Sequence, residues 1–180
     1  NPVQTDGAQR HFVERLLVGS GTPLLFVPHV DTLPLQTDGA PPCGQRVLVA
    51  WSPSRETVRA LRDALPLLAA ASRVELIRFA PATEATPEPL EPVLAHLLRH
   101  GIAATATVRH TPAPSLGERL LSTWTVDVPI AEALLSHAAD TDADLLVMGG
   151  YGHPRAWELT LGGVTRTMLQ TMTLPVLMSH

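Results

Sequence analysis

Four glycines near the C-terminus carry most of the chemistry this sequence offers. Gly149, Gly152 and Gly162 are spaced G-x2-G-x9-G, and Gly163 follows directly. The apolar stretch DLLVMGG leads into them, and the stretch from Gly162 to Gln170 has helical character. Gly149 and Gly152 let a chain leaving a strand turn sharply and approach a ligand with no Cβ in the way. Gly162 and Gly163 open a helix whose first N–H groups lack internal acceptors and lie at the positive end of its dipole. A strand, loop and helix in this order can hold a phosphate on backbone amides alone. The same spacing also serves tight turns in a doubly wound sheet that holds no ligand, and spacing alone leaves both readings open. His153, inside the loop, is placed to contact a phosphate or to cap the loop. Arg155 is placed to reach an anion or to lie on the surface.

Other chemistries are excluded by what is missing. All thirteen basic residues are Arg and Lys is absent, which removes a lysine-ended P-loop and any Schiff-base mechanism. The chain has no G-x-S-x-G elbow and no Ser, His and Asp in a nucleophile pattern, so no catalytic residue is expected. His96 and His100 stand four apart on one helix, half of a metal geometry. No Glu follows His96 and no third ligand is evident, so a solvated helix face and no metal site are expected. The single cysteine, Cys43, has no partner for a disulfide or a thiolate site, which fits a reducing, cytoplasmic setting. Seventeen acidic residues against thirteen basic give a net charge of −4, so no nucleic-acid partner is expected. No apolar run reaches about 18 residues, so no membrane span is expected. The composition, 45% hydrophobic and 17% charged over 180 residues, is that of one globular domain with some chain to spare.

The elements that must position these residues alternate from about residue 46. RVLVAW (46–51) is a short apolar run of the kind buried on both faces. Ser52 and Pro53 then read as an N-cap and a first helical position. Val58, Leu61, Leu65 and Leu68 form one helical stripe, with Pro66 expected to kink or shorten it. RVELIRFA (73–80) is the second strand, and residues 88–100 are a helix closed by Arg99, His100 and Gly101. IAATATVR (102–109) alternates weakly, as an edge strand does. A helix over 129–140, the strand DLLVMGG (144–150), a helix from Gly162 and the strand LPVLMS (174–179) complete the order. Within the long connection 111–127, LGERLLS is expected to add a helical turn. This βα alternation predicts a parallel sheet with helices on both faces.

The first 44 residues hold an internal repeat. FVERLLVGSGTPLLFVP (12–28) lies over VTRTMLQTMTLPVLMSH (164–180) at a constant offset of 152, with Pro23 on Pro175, Leu16 on Met168 and Leu25 on Leu177. Residues 1–44 are therefore expected to be the helix–strand tail of a preceding, mostly absent copy plus a Pro/Gly/Asp-rich linker, with 45–180 as the domain. The start at Asn1, with neither Met nor a signal-like segment, has the pattern of a fragment or processed product. An orphaned strand at 22–27 exposes an apolar face and a bare edge. It is expected to pair antiparallel with 174–179, within the chain as a pseudo-dimer or across a homo-oligomer.

The glycine spacing, the run DLLVMGGYGH and the ending LPVLM resemble the universal stress protein family, and the resemblance covers about residues 46–180. The N-terminal segment resembles the end of another such domain, as in the C-terminal part of a tandem protein. The resemblance implies a flavodoxin-like open sheet of five parallel strands, order 3-2-1-4-5, with dimers or tandem pairs meeting along the fifth. It implies a stress-response regulatory module with ATP across the carboxyl ends of strands one and four, and at most weak ATP hydrolysis. Carried over by position, Val49, Ala50 and Trp51 would lie near base and ribose, flanked by Met148 and Gly149. Gly152, His153, Gly162, Gly163, Val164 and Thr165 would face the phosphates. Two positions depart from the family pattern. Trp51 stands where an Asp is expected to meet the ribose, and Gly163 where a Ser or Thr is expected. An indole accepts no hydrogen bond from a ribose hydroxyl. The competing expectation is accordingly a nucleotide-free assembly module whose pocket Trp51 plugs.

Overall fold

The computed structural model describes residues 12–13, 15–28, 43–81, 89–111, 124–150 and 163–180, with the side chains of 81, 111 and 124–129 outside the description. Its strands are β1 (Leu24–Phe26), β2 (Arg46–Trp51), β3 (Arg73–Pro81), β4 (Ala104–Thr111), β5 (Leu145–Gly149) and β6 (Val176–Ser179). Between them lie α1 (Arg55–Ala70), α2 (Glu91–Arg99), α3 (Trp124–Asp140) and α4 (Gly163–Thr171). Residues 15–19 are also helical. The strands form one sheet in the order β1-β6-β5-β2-β3-β4. The pairs β2–β3, β2–β5, β3–β4 and β5–β6 are parallel, and β1–β6 alone is antiparallel. The five parallel strands keep the expected 3-2-1-4-5 order, and the sheet has six strands because the N-terminal segment adds one to its edge.

Period-two alternation divides the sheet's side chains between two apolar layers. Val47, Val49, Leu145 and Val147 pack with Ala60, Leu61, Ala64 and Leu68 of α1 and Leu97 of α2. Leu48, Leu146, Met148, Val176 and Met178 pack with Ala131, Leu134 and Ala138 of α3, Met168 of α4 and Leu17 of the N-terminal segment. The middle strands are therefore apolar throughout, as strands covered on both faces must be. β4 is an edge, and Thr105, Arg109 and His110 along it are exposed, polar cover of the kind that discourages further pairing.

Element ends correct the sequence reading in several places. The cap of α1 is Ser54, two residues beyond Ser52, with its hydroxyl accepting from Thr57 N at 3.2 Å. Pro66 neither shortens nor ends α1, which runs on to Ala70. Pro66 lies on the exposed side of the helix, where the carbonyl its missing N–H leaves unbonded can turn to water. α3 begins at Trp124, five residues before the expected 129, inside what reads as a connection. The helical turn expected at 116–122 lies outside the described residues. Asp144, at the start of DLLVMG, binds the two halves of the sheet together. Its carboxylate accepts from the backbone N–H of Gly44, Gln45 and Arg46 at 2.9, 3.0 and 2.9 Å.

Candidate functional site

β2 has β3 on one side and β5 on the other, so the chain direction of the crossovers reverses between β2 and β5. In an open α/β sheet a crevice forms at the carboxyl ends of the strands at that point. Here those ends are Trp51 and Gly149, with Ala50 paired in register to Met148. The first turn of α1 closes directly onto Gly149. A Cβ added there would stand 2.6 Å from Thr57 N and 2.8 Å from Thr57 Oγ1, so only glycine permits the approach.

Three hydroxyls meet at this turn. Ser52 Oγ lies 2.9 Å and Ser54 Oγ 3.1 Å from Thr57 Oγ1. Thr57 is buried, while Ser52 is exposed at the mouth of the crevice. Each hydroxyl can both donate and accept, and the N–H groups of the first turn of α1 point the same way. The sequence gives Ser52 a capping role alone and gives Thr57 none, because only the fold brings their hydroxyls together.

The expected site residues fall into four groups. Val49, Met148 and Thr165 are buried, so the structure assigns the side chains of Val49 and Met148 to the core. Ala50 and Trp51 lie at the end of β2 on opposite faces. Ala50 packs with the layer of α3 and α4, as does Val164, whereas the indole of Trp51 packs with the layer of α1 and α2. One ligand lying on one face of the sheet therefore meets only one of these two side chains. Gly149 and Gly163 bound the glycine segment at the ends of β5 and α4. Gly152, His153 and Gly162 lie outside the described residues. Gly150 N donates to Ser179 O at 2.9 Å, and His180 Nδ1 is 3.2 Å from Gly150 O. The last strand thus anchors the start of the glycine loop.

A second polar cluster lies away from this crevice, between β3, β4 and α3. Glu75 and His137 are both buried. Glu75 Oε1 accepts from Thr107 Oγ1 at 2.9 Å and is 2.9 Å from His137 Nε2, while Arg73 Nη2 is 3.2 Å from Oε2. Arg109 Nη2 is 3.1 Å from His137 Nδ1. A guanidinium only donates, so Nδ1 accepts and Nε2 carries the proton given to Glu75. Burial pushes the Glu75 carboxyl up. Hydrogen bonds from His137 and Thr107, with the charge of Arg73, outweigh burial and hold it below its usual value. Glu75 stands opposite Leu48, three residues before the end of β2 and so about 10 Å from the crevice. This pair holds the sheet to α3 and is out of reach of a ligand at the strand ends.

Of the remaining candidates, Cys43, His96 and His100 are described, and Arg155 lies outside the described residues. Burial, and next the Asp144 carboxylate, push the Cys43 thiol up, which makes it a poor nucleophile. The rings of His96 and His100 meet edge to face at 4.8 Å. Among the described residues no three His, Cys, Asp or Glu side chains gather as metal ligands, and no helix is long and apolar enough to cross a membrane.

The sequence model of the universal stress protein family matches residues 44–180. No curated protein sequence is matched. Among solved structures, a universal stress protein from Archaeoglobus fulgidus superposes with a TM-score of 0.52 at 17% identity, covering 73% of this chain and 96% of that one. Another, from Archaeoglobus fulgidus DSM 4304, superposes with a TM-score of 0.61 at 19% identity, covering 92% of this chain and 53% of that one. At such identities the likeness is one of fold.

Proposed function

The chain belongs to the universal stress protein family, and on that premise we propose that its 45–180 unit is a cytoplasmic stress-response regulatory domain that binds an adenine nucleotide without turning it over. The observation that carries this reading is the crevice between β2 and β5. There the first turn of α1 sits against Gly149, and exposed Ser52 presents a hydroxyl where β2 ends. That hydroxyl offers the ribose contact that the Trp51 indole cannot make. The first N–H groups of α4 (Gly163–Thr171) would supply amides for phosphate. The nucleotide-free alternative loses part of its support, because Trp51 packs toward α1 and α2 and leaves the face of Ala50. We further propose that residues 12–28 derive from a preceding copy of the domain. The longer Archaeoglobus structure, of which this chain covers about half, supports this by matching 92% of the chain.

A dye-monitored melt tests the binding. A ligand present at about 100 times its dissociation constant adds roughly 2.7 kcal/mol, which for a chain of this size raises the melting temperature by about 5–10 °C. Millimolar ATP, ADP and AMP are the probes. Ser52→Ala should reduce the shift. No shift with any of the three in the wild-type chain would overturn the nucleotide reading in favour of the assembly module.

A further inference from the structure

Just beyond the end of β5, Gly150 is held from three sides. Its N–H donates to Ser179 O at 2.9 Å. Its carbonyl, which only accepts, is 3.2 Å from His180 Nδ1, so that nitrogen carries the proton. The third contact comes from the other end of the sequence, because a Cβ built on Gly150 would stand 2.6 Å from Leu17 Cδ2. Leu17 is 2% exposed and lies in the same apolar layer as Val164 and Met168 of α4. A polar route joins the same segment to the same point. Gly21 O accepts from Arg59 Nη2 at 2.6 Å. Arg59 Nε lies 4.0 Å from Asp63 Oδ2, which accepts from Ser179 Oγ at 2.8 Å. Ser179 is 1% exposed, and its carbonyl is the one that holds Gly150 N. Residues 17–21 thus reach Gly150 directly through one side chain and indirectly through Arg59, Asp63 and Ser179.

We propose that Leu17 is a positioning residue of the crevice, and that the N-terminal segment, although it lies outside the 45–180 unit, is a working part of the ligand site because it fixes the path by which the chain leaves β5. Two adjacent glycines show how. Thr57 of α1 closes on Gly149 and Leu17 closes on Gly150, each too near for a Cβ. Consecutive strand residues present opposite faces, and the two contacts accordingly come from opposite sides of the sheet, with α1 on one and residues 15–19 on the other. A backbone wedged on both faces leaves its strand in one direction, and a site built on such a backbone loses less freedom when a ligand arrives. Removing the wedge on one face restores that freedom without touching any group that meets the ligand. That the ligand is an adenine nucleotide rests on the function proposed above, whereas the hold of Leu17 on Gly150 does not.

The test titrates the full chain with ATP by calorimetry, with far-UV circular dichroism to confirm folding. Leu17→Ala should weaken ATP binding by the folded protein about tenfold, and Leu17→Met, which refills the volume, should keep it near wild type. Gly150→Ala drives its Cβ into Leu17 and should also weaken binding. Leu17→Ala makes room for that Cβ, so the double variant should bind more tightly than the two losses combined would give. Arg59→Met removes only the exposed bond to Gly21 O and should weaken binding about two- to threefold. A second measurement needs no ligand. Amide exchange at Gly150 should speed up in Leu17→Ala and in Arg59→Met, while Val147 in the middle of β5 stays protected. A wild-type chain that binds no nucleotide but shows this exchange pattern would remove the nucleotide and leave the hold of Leu17 standing. Unchanged exchange at Gly150, or folded variants that all bind ATP as the wild type does, would overturn the proposal. Should Leu17→Ala fail to fold, Gly150→Ala and Arg59→Met decide by the same two readouts.

Discussion

Replacing His137 by Leu keeps an apolar volume under α3 but removes the N–H that Glu75 accepts at 2.9 Å. The carboxylate stays buried, its side chain 9% exposed, with Thr107 and Arg73 as remaining partners. Stripping one partner from a buried charge costs about 3–5 kcal/mol when nothing else compensates. Two surviving partners reduce that to about 2–4 kcal/mol, a loss of roughly 5–15 °C in melting temperature. Glu75→Leu together with His137→Leu removes the charge as well as its donor, so the double variant should be more stable than the two single losses would sum to. The pH dependence has a fixed sign. The folded Glu75 carboxyl lies below its ordinary value of 4.5. Its contribution is therefore fully present above about pH 4.5 and is lost as pH falls through the lower folded value. Urea denaturation of wild type and Glu75→Gln at neutral pH and again near pH 3 measures this, and the gap between them should narrow in acid. A gap that is constant over that range, or singles that add in the double variant, would refute the account of Glu75 as an ionised, partner-held group.

Two further outcomes follow from backbone contacts. Asp144→Ala leaves three N–H groups at Gly44, Gln45 and Arg46 without their acceptor. It should cost about 2–4 kcal/mol and speed amide exchange at those residues, whereas unchanged protection there would contradict the assignment. Gly149→Ala drives a Cβ to 2.6 Å from the backbone of Thr57, where relief requires moving the first turn of α1. It should destabilise by about 1–3 kcal/mol, and an unchanged melting temperature would show that the turn is not held against β5.

The strand order was legible because apolar runs buried on both faces are short, uniform and separated by helical stripes. The weak alternation of 102–109 marked an edge, and β4 is one. Helix starts were less legible. Ser52-Pro53 carries the stronger capping signal in sequence, yet Ser54 holds the cap, because β2 continues through Trp51 and the chain needs Ser52 and Pro53 to turn back. Pro66 reads as a helix breaker, but packing of Ala60, Ala64 and Leu68 against the sheet outweighs one missing hydrogen bond. Glu75 and His137 escaped notice for a different reason. They lie 62 residues apart, and only the pairing of β3 with β4 and the docking of α3 bring Thr107, Arg109 and His137 around the carboxylate.

At the end of β2, residues adjacent in sequence part company in space. Reading Trp51 as a plug assumes that consecutive residues at a strand end share a pocket, but a strand sends consecutive side chains to opposite faces. Ala50 and Trp51 therefore answer to different layers, and the exposed polar group at this end is the next residue, Ser52. The same alternation gives Leu25 and Leu177 one face of the sheet and their neighbours the other. Gly150, just beyond the end of β5, has its N–H held by Ser179 O and its backbone against Leu17. Loss of the Leu17 side chain would remove one of the contacts at Gly150. On the proposed nucleotide reading, Leu17→Ala should accordingly change nucleotide affinity, while Leu134→Ala, a core truncation in α3, should lower stability and leave the affinity of the folded protein unchanged.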